Sequence, residues 1–292
     1  MIKSLKLLAV LSLSVIVAAC GGGDKTDDAA NGDASGNKES VITVKGSDTM
    51  VQLAQRWAEQ YMKAKSSTQV QVTGGGSGTG ISALINGTTD ICASSRPMKD
   101  SEKQQLAAKY QSAGVEVKVA RDGLTVYLNS ENPVKELTLA QVKDIYTKKI
   151  TNWKQVGGPD EGIVLYGREN SSGTYEFFKE HVLNKADFAN EMQALPGTAA
   201  VVNAVKSDKK GIGFGGVGYS QGLKEAAIKT ESGESVLPTK ENILSGKYPI
   251  SRYLFLYLRK TPEGEIKNFL DFILSADGQK IVADEGFFPA RD

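Results

Sequence analysis

The chain is poor in the residues that build metal centres and covalent catalysis. It holds one histidine and two cysteines in 292 residues. That is too few imidazole and thiolate ligands for a zinc site. The histidine, His181, follows Phe177-Phe178 in a helical segment and reads as a packed or solvated side chain. A serine hydrolase would therefore lack its base. Charge of one sign is also scarce: 35 basic residues face 34 acidic ones, for a formal net charge of +1. No block of like charge appears, and a nucleic-acid surface needs a basic stripe, so no nucleic-acid partner is expected. No G-x-x-x-x-G-K-[ST] is present, which excludes a P-loop. Gly213-Phe214-Gly215-Gly216-Val217-Gly218 matches G-x-G-x-x-G only formally, because it lies late in the chain, after more than one sheet unit. The acidic pairs Asp27-Asp28 and Asp160-Glu161 fall in a linker and in a turn. No cofactor is expected.

Long apolar runs are missing too, apart from one at the N-terminus. Lys3 and Lys6 precede an apolar stretch over residues 7–19. A spanning helix needs about 20 such residues, so residues 1–19 are expected to be a signal peptide. The stretch ends Val17-Ala18-Ala19-Cys20-Gly21, which resembles a bacterial lipobox with Cys20 as the lipidated residue. Gly21 in place of an aspartate hints at outer-membrane sorting in a cell with two membranes. Residues 20–40 contain no large apolar side chain. They cannot bury enough surface to offset the entropy of ordering and are expected to be a flexible tether. With Cys20 lipidated, Cys92 is the one remaining thiol and no intramolecular disulfide can form. Cys92 sits in the apolar run Ile91-Cys92-Ala93 and reads as a small buried hydrophobe.

The folded part is expected over residues 41–292, enough chain for two lobes. Residues 41–44 read as a strand, followed by a glycine loop and a helix in which Leu53, Ala54, Trp57, Ala58 and Tyr61 recur at helical spacing. Val70-Gln71-Val72, a second glycine loop and a helix with Ile81, Leu84 and Ile85 repeat the unit. A third short strand runs through Ile91-Cys92-Ala93, then a helix over about 101–112 and two strands at 115–119 and 124–128. The order restarts later: a helix at 139–146, strands at 163–166, 211–214 and 253–258, and helices at 266–274 and 278–283. This alternation predicts an α/β fold with a mainly parallel sheet and ligands near strand C-termini.

Three loops share one composition. They are Gly46-Ser47-Asp48-Thr49-Met50, Gly74-Gly75-Gly76-Ser77-Gly78-Thr79-Gly80 and Arg168-Glu169-Asn170-Ser171-Ser172-Gly173-Thr174. Each runs into a helix, so backbone amides and hydroxyls can converge on an anion at a helix N-terminus. Arg96 and Arg168 lie close to two of them and offer planar bidentate donors. Singly, such loops are usually helix caps; jointly they suggest one oxyanion held from several sides. Asp48 has two readings, a helix N-cap or the acceptor of a ligand proton. A carboxylate repels a bare oxyanion but can accept the O–H of phosphate, which sulfate lacks, and so can discriminate between them.

These motifs resemble the phosphate-binding proteins of bacterial high-affinity phosphate ABC transporters. The resemblance runs over residues 41–292. Its matching stretches include Gly46-Ser47-Asp48-Thr49, Gly76-Ser77-Gly78-Thr79-Gly80, Ser94-Ser95-Arg96-Pro97-Met98, Lys149-Ile150-Thr151-Asn152-Trp153 and Arg168 through Thr174. It implies a two-lobed periplasmic-binding-protein type II (Venus-flytrap) fold with two hinge crossovers. Lobe one would combine 41–127 with 248–292, and lobe two would be 128–247. It implies inorganic phosphate bound by the Thr49 hydroxyl, the Met50 amide, Ser77, Arg168, Ser172, Gly173 and Thr174. Ser47, Asp48, Gly78 and Thr79 lie in the same loops and are expected at the site. Well-known members carry an aspartate after Ala-Ser, where this chain has Ser95 followed by Arg96. That is similar to a second branch in which the Ser-Arg pair contacts the anion, and it leaves Asp48 as the expected proton acceptor. The expected protein is a non-enzymatic, monomeric receptor outside the cytoplasm, tethered to the membrane through Cys20 and serving a membrane permease. Receptors for sulfate, molybdate or tungstate, and a phosphoester-processing enzyme or surface adhesin on the same scaffold, are the alternatives.

Overall fold

A computed structural model of the chain describes residues 40–290, all within one compact unit. The expected signal peptide, the tether up to residue 39 and Cys20 lie outside the described residues. The first lobe opens with β1 (Ser40–Gly46), α1 (Val51–Ala64), β2 (Thr68–Thr73), α2 (Ser77–Asn86), β3 (Ile91–Ser94) and α3 (Asp100–Tyr110). A 14-residue strand, β4 (Val115–Leu128), then carries the chain into the second lobe. That lobe holds β5 (Glu136–Thr138), α4 (Leu139–Tyr146), β6 (Val164–Arg168), α5 (Gly173–His181), β7 (Gln193–Leu195) and α6 (Gly197–Ser207). It continues through β8 (Gly211–Gly216), β9 (Lys224–Lys229), β10 (Ser235–Val236) and α7 (Lys240–Leu244). The chain returns along β11 (Ser251–Leu258) and ends with α8 (Gly264–Leu274), α9 (Ala276–Asp284) and β12 (Phe288–Pro289).

The sheets form one path in the order β2-β1-β3-β11-β4-β8-β6-β7. Within the lobes β1 pairs β2 and β3 in parallel, and β6 pairs β7 and β8 in parallel. The crossing strands are antiparallel to their neighbours, so the sheet is mixed rather than mainly parallel. The N-terminal part of β4 pairs with β11, and its residues Leu124–Leu128 pair with β8. The hydrophobic cores divide at the same place. Val119, Ala120, Leu254 and Leu256 pack with Ile42, Trp57 and Phe269, whereas Leu124, Val126, Leu128, Tyr248 and Ile250 pack with Trp153, Phe178 and Phe214. The two cores therefore divide between Ala120 and Leu124 on the outgoing strand and between Ile250 and Leu254 on the return.

The two strands expected at 115–119 and 124–128 are one strand. Asp122 lies mid-strand with its side chain fully buried, and its partner in register on β11 is Arg252. Arg252 Nε and Nη2 both donate to Asp122 Oδ2, at 2.9 and 2.8 Å. An unpaired charge at this depth would cost several kcal/mol or more; the pairing removes most of that penalty and lets a charged residue continue the strand. Burial pushes the Asp122 carboxyl up, and the Arg252 charge opposes that rise.

Helices seat the loops on the sheet. In α1 the buried residues Leu53, Ala54, Trp57, Ala58 and Tyr61 form one face, as the i, i+3, i+4 spacing requires. Trp57 Nε1 donates to Gly278 O at 2.8 Å, which fixes α1 to α9. On the other side of the sheet Cys92 packs with Ile81, Leu84, Met98, Leu106 and Tyr257. It is a buried hydrophobe, and burial pushes its thiol up.

Candidate anion site between the lobes

The loops after β1, β2 and β3 face the loop after β6 across the cleft. The Gly46 end of β1 turns through a 3-10 segment, Asp48–Met50, directly into α1. Neither α1 nor α2 has a side chain capping its first turn, so both present positive helix ends to the cleft. Helix α5 differs: Ser172 Oγ accepts from the amides of Thr174 and Tyr175, at 3.2 and 3.3 Å. Ser172 is thus a helix cap whose O–H proton remains free to donate.

Polar contacts cross the cleft at several points. The Thr49 and Thr174 hydroxyls lie 2.9 Å apart, Gly78 N donates to Ser171 O at 2.9 Å, and Tyr219 Oη donates to Asp48 O at 3.1 Å. The strongest crossing is the ion pair of Arg168 Nη2 with Asp48 Oδ2, at 2.5 Å. Arg168 Nη1 donates to Thr198 Oγ1 on α6, and Gly75 N donates to Asp48 Oδ1. Burial pulls the Arg168 guanidinium down, and Asp48 works against that shift. Ser77 Oγ accepts from Ser95 N at 3.0 Å and lies 3.3 Å from Ser95 Oγ.

Two glycines make this approach possible. At Gly76, where φ is +92°, a Cβ would run into the Ser171 backbone of the opposite lobe. At Gly173 a Cβ would collide with Ser77 Oγ and approach Ser95 Oγ to 2.8 Å. Any larger residue would hold the lobes apart.

The structure brings together Asp48, Thr49, Ser77, Gly78, Ser95, Arg168, Gly173 and Thr174, with Ser172 capping α5. Ser47 is buried beneath them with its amide on Ala93 O, and Thr79 is half-buried in the first turn of α2. Met50 N, expected as a ligand donor, donates instead to Ser47 O at 3.0 Å in the 3-10 turn. The Arg96 guanidinium is not directed into the group. Its Nη1 and Nη2 bind Glu102 at 2.8 and 2.7 Å, and Nη1 also donates to Pro97 O. Burial alone would lower Arg96, but Glu102 carries it above its usual value. Asp90 and Glu169, the other carboxylates near these motifs, are placed elsewhere: Asp90 accepts from Thr43 and Glu169 is exposed.

Four side chains at the site were not legible in the sequence. Thr198 orients Arg168, Tyr219 holds the Asp48 backbone, and the Asp122–Arg252 pair reaches the site through Arg252 Nη2, 3.1 Å from Thr174 Oγ1. The available signal was two opposite charges, each interrupting an apolar strand. Among the described residues, Arg168 Nε and Arg252 Nη1 are buried donors without a hydrogen-bond partner. Such groups cost about 1–3 kcal/mol each unless an acceptor meets them.

This arrangement offers hydrogen-bond donors of the kind that a small oxyanion takes. His181 is exposed at the far end of α5, its ring tilted against Phe177 with the centroids 4.1 Å apart. Asp48 and Asp122, the carboxylates at the site, are each held by a guanidinium group. Among the described residues no cluster of three or more His, Cys, Asp or Glu could hold a metal. The formal G-x-G-x-x-G lies in β8 and the turn after it, where Gly213 and Gly215 make room for α6 and Tyr127 rather than opening a phosphate loop.

A family model described as a PBP superfamily domain matches residues 27–277. The phosphate-binding protein PstS of Pseudomonas aeruginosa is 36% identical over 273 residues, spanning 87% of this chain and 83% of the relative. The chain belongs to the PstS family of phosphate-binding proteins. The Staphylococcus epidermidis PstS is 38% identical over 291 residues, 95% of this chain and 86% of its own. Among solved structures, a putative phosphate ABC transporter substrate-binding protein from Clostridium perfringens with bound phosphate superposes with a TM-score of 0.78. It is 33% identical and is matched over 86% of this chain and 100% of its own. An ABC-type phosphate transport receptor from Vibrio cholerae gives a TM-score of 0.69 at 30% identity, over 85% and 99% of the two chains. The two-lobed periplasmic-binding-protein fold expected from the sequence is the fold found.

Replacing Gly173 with Ala tests whether close approach of the lobes makes the site. The added methyl meets Ser77 and Ser95 in the closed form only. The variant is expected to melt within a few degrees of the parent, to have a larger radius of gyration in X-ray scattering, and to bind anions at least about 10-fold more weakly, the equivalent of about 1.4 kcal/mol. Unchanged scattering and affinity would mean that the lobes do not close at this contact.

Proposed function

We propose that the protein is an extracytoplasmic receptor that closes on inorganic phosphate and delivers it to an ABC permease. The observation that carries this reading is the buried Arg168, paired across the cleft with Asp48 and holding a buried Nε donor without a protein partner, in a cleft where the Thr49 and Thr174 hydroxyls of the two lobes also meet. The names of the PstS relatives and the phosphate bound to the Clostridium perfringens protein support the same ligand. Phosphate has no apolar surface to bury, so its affinity comes from charge-assisted hydrogen bonds worth about 1.5–3 kcal/mol each. Micromolar binding needs about 8 kcal/mol, which a few such bonds provide.

In this reading the ligand set is Thr49, Ser77, Ser95, the Arg168 guanidinium, the Ser172 hydroxyl, and the Gly173 and Thr174 groups at the α5 N-terminus. Ser47, Met50, Gly78 and Thr79 shape the two loops that carry Thr49 and Ser77. Arg96 acts from behind, its charge held by Glu102 while Ser95 faces the cleft. Asp48 has two tasks. It fixes Arg168, and it accepts the proton that phosphate keeps near neutral pH and sulfate lacks. Residues 1–19 direct export, and Cys20 carries the lipid that tethers a monomeric receptor at the membrane through residues 21–40. Among the described residues no helix is long and apolar enough to cross a membrane.

Calorimetric titration tests the site. Arg168→Ala is expected to weaken phosphate binding by at least about 100-fold, the loss of one or two charge-assisted bonds, and Asp48→Asn to narrow the preference for phosphate over sulfate. Unchanged affinity in the first variant would remove Arg168 from the site. Unchanged sulfate rejection in the second would place the proton acceptor elsewhere. Cell fractionation tests the tether: Cys20→Ser is expected to move the protein from the membrane to the soluble extracytoplasmic fraction. Retention on the membrane would refute lipidation at Cys20.

A further inference from the structure

We infer that Arg252, on the returning hinge strand, is a second anion-binding guanidinium, so that the hinge itself forms part of the binding site. The inference rests on the reading of the cleft as a phosphate site. Arg252 lies in β11 at the crossing, and its side chain is 1% exposed. Nε and Nη2 are spent on Asp122 Oδ2. Nη2 also reaches Thr174 Oγ1 at 3.1 Å, and Nη1 is buried without a partner among the described residues. A purely structural counter-charge for Asp122 needs neither the contact with Thr174 nor a buried N–H without a protein partner. An anion oxygen beside Thr174 supplies the missing acceptor.

The surroundings of Arg252 fit this role. Arg252 donates to Thr174 Oγ1, which fills an acceptor position on that hydroxyl and leaves its own proton to donate, the polarity an oxyanion requires. The face of Phe177 on α5 lies 5.5 Å from the Arg252 guanidinium carbon and steadies the group that points toward the α5 N-terminus. Arg252 and Arg168 repel one another, and an anion between two such groups relieves that repulsion. Asp122 also accepts Val217 N from lobe two at 3.2 Å. The pair therefore ties both crossing strands and a lobe-two turn to the atoms that hold the ligand.

The experiment is calorimetric titration of inorganic phosphate into the parent, Arg252→Lys, and the double variant Asp122→Asn/Arg252→Gln, with thermal melts of each without phosphate. Lysine keeps a charge opposite Asp122 but cannot present the Nη1 fork. The double variant replaces the ion pair with a neutral amide pair and covers the case in which Arg252→Lys does not fold. Each variant that melts near the parent is expected to bind phosphate at least 10-fold more weakly. A second titration separates direct contact from positioning of Thr174: adding Arg252→Lys to Thr174→Val is expected to weaken binding at least 5-fold beyond Thr174→Val alone. Parent-like affinity in a folded Arg252 variant, or no further loss in the Thr174→Val background, overturns the inference and leaves the phosphate reading standing. Failure of the parent itself to bind phosphate overturns both.

Discussion

The ion pair between Arg168 of lobe two and Asp48 of lobe one is the contact on which the closed arrangement depends. A guanidinium buried to this extent is tolerable only against a carboxylate, because removing either partner from such a pair typically costs about 3–5 kcal/mol. Asp48 is held in turn by the Gly75 amide, and Arg168 by the Thr198 hydroxyl. The charge pair thus recruits four elements, the α1 turn, the glycine loop before α2, the end of β6 and the start of α6. Three of these carry groups suited to an oxyanion, and the pair brings them within reach of one another.

The same pattern of charge matching recurs around the cleft. Arg168 meets Asp48, Arg252 meets Asp122 and Arg96 meets Glu102. Each cation brings its own counter-charge, so the site is nearly neutral before a ligand arrives. Attraction at long range is then weak, and selectivity rests on donors and acceptors placed at short range. This favours discrimination by protonation state: two tetrahedral anions of similar size differ in whether they can offer a proton to a carboxylate.

The anion-type loops and the two-lobed family were legible in the sequence because their signals are local. Gly, Ser and Thr at a strand end followed by helical periodicity state the strand–loop–helix unit within about 15 residues, and Cys92 between Ile91 and Ala93 states its own burial. What remained hidden is non-local. The continuity of β4 through Asp122 depends on Arg252, 130 residues away in the chain. Helix α6 begins Gly197-Thr198-Ala199-Ala200, a run of small residues that gives little sign of a threonine holding Arg168. Arg96 showed the opposite problem. Its place beside a loop suggested the anion, yet Glu102 in the first turn of α3 takes both terminal nitrogens.

Closure on a protonated tetrahedral anion is tested most directly by small-angle X-ray scattering of the protein without its N-terminal leader, titrated with inorganic phosphate and separately with sulfate at matched ionic strength. A clamp completed by Arg168 and Asp48 predicts that phosphate contracts the radius of gyration toward the closed form and that sulfate at the same concentration leaves it unchanged. A scattering curve that saturating phosphate does not alter, or that sulfate alters equally, would contradict it.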